Sequence, residues 1–344
     1  MRDEAERNAG ASERVRTRVT KGEVERYILD LVYPKSKFEI IPQDKPDFIL
    51  KQQERSTAFG VEITTLYRSE SDARLSFIPD YFTDIIYRGH YRHKDDINEL
   101  RVTHVTVTDE DGTVTHENLP GILRQNPENS VYQKALASII LEKTRKSVSY
   151  TDGLDHLELV ILDRAAPQSD ANSAYSVTDL LSEGVREALL QSNFHEVFLA
   201  MPTSNKTSTY RPLQLILLLE SFYMFCGAAE SYSEENGGLE EQHLVPLFIH
   251  MQQNQGLDVK HAVVNEKDVA VYRFSGIGIQ DGGISVLDYP HGPGPEISTG
   301  PPSVPDSLRE SFLPYYESFV QSNGFSAAMW TPGPHRSDPA PAPI

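Results

Sequence analysis

The stretch Lys45-Pro46-Asp47-Phe48-Ile49-Leu50, followed by Phe59-Gly60-Val61-Glu62-Ile63-Thr64, decides the fold, because each segment sets one carboxylate in an otherwise apolar, strand-like run. A carboxylate is costly to bury unless a cation or a hydrogen-bond donor meets it, so two of them on neighbouring strands point to a metal site. Pro46-Asp47 opens the first short strand, the polar residues 51–57 form a turn, and the second strand carries Gly60-Val61-Glu62. Strands joined in this way place Asp47 and Glu62 side by side on one sheet face. Val61 and Ile63 then face one apolar layer, while Glu62 and Thr64 face the other.

On the N-terminal side, residues 1–19 are polar and alternate in charge, which predicts a flexible N-terminal arm. Thr20-Lys21-Gly22-Glu23 has the pattern of a capping box, with Thr20 as N-cap and Glu23 three residues on, so a helix starts there. Val24, Ile28, Leu31 and Val32 recur at helical spacing as its buried stripe, and Glu25 lies close to that stripe. Strands are predicted over 38–41, 47–50 and 59–66, then a helix over 77–87. Arg101 to Thr108 and Thr113 to His116 read as a β-hairpin insertion across the turn 109–112.

A strong helix follows over 131–148, with Leu136, Ile139, Ile140 and Thr144 on its apolar side. Beyond it come a strand at 157–162, a helix around 177–190, a strand at 196–200, an apolar helix over 213–226, and strands at 244–250 and 269–274. A last helix is predicted around 305–321 in a segment otherwise rich in proline and glycine, with the final dozen residues disordered. Alternating strands and helices give an α/β fold whose central sheet is covered on both faces. The expected organisation is an arm (1–19), a core (20–165), an α/β continuation or accessory subdomain (166–288) and a Pro/Gly-rich C-terminal extension (289–344). No internal repeat is visible.

With 344 residues, 39% hydrophobic and 24% charged, the chain has the composition of a soluble globular protein. Met1 to Lys21 lacks the apolar centre of a signal peptide, and the single cysteine, Cys226, excludes a disulfide framework. A reducing cytoplasm fits both features. The apolar run 213–226 is interrupted by Glu220 and falls short of the ~20 residues a bilayer crossing needs, so no membrane role follows. A net charge of -18 argues against a protein that coats nucleic acid non-specifically. A local basic strip exists at 87–94, where Arg88, Arg92 and Lys94 interleave with aromatic residues that could stack on bases.

Other chemistries have little support. The eleven histidines include no His-x-x-x-His pair, Gly276-Ile277-Gly278 opens no helix, and no Gly-x-Ser-x-Gly elbow occurs.

Helix with an acid, strand, Pro-Asp strand, Gly-Val-Glu strand, long helix and further strand: this order resembles the restriction-endonuclease-like superfamily, the PD-(D/E)xK nucleases. The resemblance covers residues 20–163 and rests on Pro46, Asp47, Glu62 and the element order. It implies a mixed central sheet flanked by helices, and a Mg²⁺-dependent nuclease, with Mn²⁺ as a substitute, that cuts a phosphodiester by metal-activated water. Asp47 then matches the motif aspartate, Glu62 the acid of the third strand and Glu25 the helix glutamate; the Ile63 carbonyl would give the ion one more oxygen. The family places a lysine two residues after the second acid, and here that position is Thr64. Threonine supplies no positive charge to the phosphate under attack.

Lys143, one helical turn after Ile139 and Ile140, is the first candidate to fill the gap, with Lys146 second and Lys51 third. Arg88, Arg92, Lys94 and Lys146 are the candidates for contact with nucleic acid, DNA rather than RNA. The resemblance also implies a bacterial, cytoplasmic protein in defence against foreign nucleic acid, with a homo-oligomer or a partner protein as further options. Its alternative is a catalytically silent member that binds nucleic acid or a partner through the same sheet, and Thr64 is what supports that.

Overall fold

The computed structural model describes residues 20–52, 58–109, 111–123, 127–150, 153–165, 180–202, 208–254, 257–273, 275–280, 283–288, 297–298 and 303–323. The expected arm at 1–19 and the expected disordered final dozen residues lie outside them. Helix α1 spans Lys21–Val32, and both halves of its capping box are formed. The Glu23 amide donates to Thr20 Oγ1 at 3.3 Å, while the Thr20 amide donates to Glu23 Oε2 at 2.7 Å. A cap of this kind is worth roughly 1 kcal/mol. Burial of Ile28, Leu29 and Val32 on the inner face contributes more, roughly 1.5–3 kcal/mol for each side chain.

Three strands follow: β1 (Phe38–Pro42), β2 (Phe48–Gln52) and β3 (Ala58–Leu66). They form an antiparallel meander, with Ile40 opposite Leu50 and Phe48 opposite Val61. The chain then leaves the sheet. Helix α2 (Glu70–Phe77) was not expected, and the helix expected over 77–87 is α3 (Tyr81–Arg88). The break between them is at Ile78-Pro79-Asp80, where Ile78 is extended, as a residue before proline favours, and Asp80 has φ +59°. After α4 (Asp96–Glu99) comes the hairpin of β4 (Arg101–Thr108) and β5 (Val114–Leu123), whose second strand runs seven residues past the expected His116. Val102 and Ile122 pack at its base against Tyr81, Ile85 and Leu100.

The chain returns through α5 (Asn129–Ser147) to β6 (Leu157–Asp163), which pairs parallel with β3. Helix α6 spans Glu183–Gln191 behind Ser182, and the start expected around residue 177 lies outside the described residues. β7 (Glu196–Pro202) then pairs parallel with β6, and β8 (Ser208–Pro212) closes the far edge antiparallel to β7. The sheet order is β1-β2-β3-β6-β7-β8, so this sheet continues past residue 165. Its two faces carry separate cores. Phe48, Val61, Ile63, Val160, Leu162 and Phe198 pack with α1. On the other face Leu66, Leu159, Ile161, Val197 and Leu199 pack with α5 and α6.

Helix α7 extends over Leu213–Asn236, and the buried Glu196 caps it by accepting from the Gln214 amide at 2.7 Å and the Leu215 amide at 3.3 Å. Among the described residues it is the one helix long and apolar enough to cross a bilayer, and its first half is packed in the core. Cys226 lies half-buried on it, and burial pushes its thiol up to about 11, as an inert thiol requires. The expected strand at 244–250 is instead part of helix α8 (Glu241–Asn254). A short apolar run of this kind reads equally as buried strand or buried helix, and here Val245 to Ile249 are buried all round against α7. Strands β9 (Val259–Val264), β10 (Lys267–Tyr272), β11 (Ser275–Gln280) and β12 (Gly283–Asp288) form a second, antiparallel sheet. It shares a core with α7, α8 and α9 (Asp306–Asn323). Arg273 ties this sheet to the first by donating to the carbonyls of Ser192 and Phe194. The molecule is thus mixed α/β, with one mixed sheet flanked by helices and a smaller antiparallel sheet behind it.

Candidate functional site

The site begins where β2 enters the sheet. The register that sets Phe48 opposite Val61 leads, one residue on, to Asp47 opposite Glu62. Pro46 packs directly on Gly60 of β3. A Cβ on that glycine would fall 2.5 Å from Pro46 Cγ, 2.6 Å from Leu157 Cδ2 and 2.9 Å from Leu154 Cδ1. Only glycine lets the two strands approach this closely. With the backbone held there, Asp47 Oδ2 accepts the Ile63 amide at 2.7 Å. Ile63 thus touches the site through its N–H.

Glu62 points away from the Val61 and Ile63 face, towards α5, and is buried. There Lys143 Nζ donates to Glu62 Oε1 at 2.6 Å. Lys143 is itself largely covered, so the pair sits in a medium where charge acts strongly. Tyr150 follows in the turn after α5, and burial together with the charge of Glu62 and Asp47 pushes its phenol above the ordinary tyrosine range. It stays a neutral phenol.

The third acid comes from α1. Glu25 is mostly covered and pairs with Lys21 at 3.0 Å, while Lys21 itself is exposed. The Lys21 ammonium is held above its usual range first by Glu25, with Asp47 and Glu62 adding to the effect. Burial pushes the Asp47 carboxyl up to about 6; the Ile63 amide opposes that shift, the charges of Glu62 and Glu25 add to it, and Lys143 opposes it. Asp47 thus feels the charges of Glu62, Glu25 and Lys143, and its charged form is disfavoured. A carboxylate shifted by burial and by neighbouring acids marks a candidate functional site.

The donor set suits a hard divalent cation. Asp47 and Glu62 offer carboxylate oxygens on one face, and the surplus negative charge would be relieved by an ion of Mg²⁺ type. Among the described residues no group of three or more His, Cys, Asp or Glu side chains makes a metal cage by itself. The fit is that of a two-carboxylate site completed by water and substrate, the usual habit of Mg²⁺.

Other candidates lie elsewhere. Lys146 pairs with Glu142 at 2.5 Å on the exposed side of α5. Lys51 is exposed on β2, opposite Glu39. Arg88 and Arg92 both bind Asp84, at 2.8 and 3.1 Å, and the Arg92 guanidinium foremost holds that carboxyl below its usual range. Lys94 is exposed. Residues 81–123 hold four Lys or Arg against eight Asp or Glu, so the basic strip belongs to an acidic insertion.

Lys21 and Tyr150 went unmarked in the sequence. The signal for Tyr150 was its spacing: seven residues after Lys143 returns to the same helical side. Lys21 was hidden inside the capping box, where it reads as an exposed first-turn residue. Comparison with protein-family models, with curated proteins and with solved structures returns no match to this chain.

Proposed function

We propose that this protein is a divalent-cation-dependent nuclease with a restriction-endonuclease-like core, acting on nucleic acid, DNA rather than RNA, in the cytoplasm. The observation that carries the proposal is the Lys143 ammonium 2.6 Å from Glu62, a positive charge supplied from α5 where Thr64 has none. The order α1-β1-β2-β3 and then α5-β6, with β6 parallel to β3, supports the fold assignment. A defence role is an analogy with the superfamily and has no residue of its own behind it.

Asp47 and Glu62 would hold the ion, with the Ile63 carbonyl as a third oxygen. When bound, Mg²⁺ or Mn²⁺ supplies an activated water and a counter-charge to phosphate. The chain's own part is positional. The Ile63 amide fixes the Asp47 carboxylate, and the contact of Pro46 with Gly60 fixes the backbone that carries it. Lys143 stands beside Glu62, where its charge offsets the negative charge that builds on a phosphate under attack. Lys21, exposed at the rim, adds a second cation within reach of a bound backbone.

The test is incubation of purified protein with DNA and with RNA in Mg²⁺ and in Mn²⁺, beside Asp47→Ala, Glu62→Ala and Lys143→Ala. Cleavage by the wild type that all three substitutions abolish is the expected result. Cleavage that survives Asp47→Ala and Glu62→Ala rules the site out. A second reading, a catalytically silent binding module, draws on Thr64 and on Lys143 being engaged with Glu62; it predicts binding without cleavage in either metal.

A further inference from the structure

The strand that carries Glu62 ends on an aromatic pair. Tyr67, the residue after β3, meets Phe77 from the last turn of α2, with ring centroids 5.7 Å apart and planes at 64°. The half-buried Tyr67 props the Phe77 ring edge to face, yet Phe77 itself is 66% exposed. A single exposed ring is ordinary. What sets this one apart is the cation beside it. The Arg164 amide donates to the Leu66 carbonyl at 2.9 Å, which seats Arg164 next to Tyr67 at the ends of β6 and β3. Its guanidinium Nη1 donates to Ser76 Oγ at 3.4 Å, one residue before Phe77.

Arg164 is exposed and forms no ion pair among the described residues. The acids of these elements are occupied or covered. Glu70 pairs with Arg74 at 3.1 Å, Asp72 is buried, and the buried Asp163 accepts from the Tyr132 hydroxyl at 2.7 Å. An open aromatic face with a guanidinium at its side fits a nucleotide, whose base stacks on the ring while its phosphate meets the cation. Bases within a duplex have both faces covered, so only an unpaired one can use the ring. Tyr67 lies five residues beyond Glu62, roughly 15 Å at the usual rise of a strand. A DNA strand held at Asp47 and Glu62 spans that distance within a few nucleotides. We propose that Phe77, Tyr67 and Arg164 form a subsite for an unpaired nucleotide, so that the substrate is DNA with single-stranded character beside the cut. The subsite rests on the nuclease reading of Asp47 and Glu62.

Fluorescence anisotropy of the full chain with a labelled single strand, and with a blunt duplex of the same length, tests this. Ca²⁺ replaces Mg²⁺ to offset the acids of the site, and a gel verifies that the strands stay intact. The wild type should prefer the single strand. Phe77→Leu keeps apolar bulk and loses the aromatic face; it is expected to weaken single-strand binding by about 5- to 150-fold, the range for one stacked base, and duplex binding by less than about twofold. Phe77→Trp should retain single-strand affinity, and both variants should melt as the wild type does. Arg164→Ala should lower the slope of log affinity against log salt for the single strand by about 0.7. Wild-type single-strand affinity in Phe77→Leu, or equal losses on the two DNAs, overturns the subsite. If those results come with cleavage in Mg²⁺ that needs Asp47 and Glu62, only the subsite is refuted. A wild type that binds neither DNA refutes the nuclease reading, and the subsite with it.

Discussion

Lys143 and Glu62 are 81 residues apart in the chain and 2.6 Å apart in space, joined across the gap between α5 and β3. The pairing solves two problems at once. It compensates a buried carboxylate, and it brings a cation to a strand whose own sequence offers Thr64 in its place. Removing one partner of such a pair leaves the other as an uncompensated buried charge.

Lys143→Met should therefore split two properties that usually fall together. Without the ammonium, the carboxylates at Asp47, Glu62 and Glu25 form a more negative cluster, and Mn²⁺ is expected to bind several-fold tighter. Cleavage should drop by about 100- to 1,000-fold, the usual cost of losing one stabilising charge or donor. Mn²⁺ titration and single-turnover cleavage measure the two effects on the same preparation. Weaker Mn²⁺ binding in the variant would show that Lys143 orders Glu62 and does not compete for it.

Asp47 carries a stability cost that depends on pH. Its carboxyl is raised from 3.8 to about 6, chiefly by burial, so the folded state prefers the protonated form. The stabilisation from that preference is complete below pH ~4 and is lost as the pH rises through ~6. Asp47→Asn keeps an oxygen for the Ile63 amide and removes the charge. At pH 8 without metal it should be more stable than wild type by roughly 1 kcal/mol, a value lowered to allow for solvent screening at a partly exposed site. The advantage should vanish near pH 4. Thermal melts across that range decide it, and a variant less stable at pH 8 would contradict the electrostatic account.

How much of this was legible depends on whether a signal was local. The capping box of Thr20 and Glu23 and the alternation around Glu62 are short-range patterns, and both appear in the structure as read. The spacing of Ile139 and Ile140 set Lys143, and not Lys146, near the face packed on the sheet, and their partners, Glu62 and Glu142, follow that division. Leu244 to His250 misled because an apolar run buried on every side has no periodicity to distinguish strand from helix. The glycines of β11 hid a strand, since Gly276 and Gly278 lower its propensity while the meander pairs it on both sides. Ile78-Pro79 did announce the break between α2 and α3, and the apolar residues around it masked the warning. Tyr150 was harder to see, because its signal is a bare seven-residue spacing from Lys143 that runs past the end of α5.

Gly60→Ala probes the frame of the site. The added methyl would lie 2.5 Å from Pro46 Cγ and 2.6 Å from Leu157 Cδ2, so either the β2 entry or the β6 start must move. A change of this kind typically costs about 1–3 kcal/mol. If the β2 entry moves, Asp47 loses its bond from the Ile63 amide, and Mn²⁺ affinity should fall along with the melting temperature. A variant with a lowered melting temperature and intact Mn²⁺ affinity would place the adjustment at Leu157 and free Pro46 of any role in aiming Asp47.

Arg88 and Arg92 offer the sharpest contrast with the site. Both share the one Asp84 carboxylate, and the insertion around them holds twice as many acids as bases. Binding to phosphate depends on cations that can displace counterions, and paired guanidinium groups within a negative field do this poorly. Arg88→Ala with Arg92→Ala should change DNA affinity by less than about twofold and leave its salt dependence unaltered. Lys21→Ala with Lys143→Ala, in contrast, should weaken binding in Mg²⁺, where an ion on the acids offsets their charge, and reduce the slope of log affinity against log salt by up to about 2, one unit at most for each phosphate that no longer meets an ammonium. Fluorescence anisotropy with a labelled duplex over a range of salt concentrations compares the two pairs directly. A loss of slope confined to the arginine pair would move the nucleic-acid surface to α3 and away from the acids of β2 and β3.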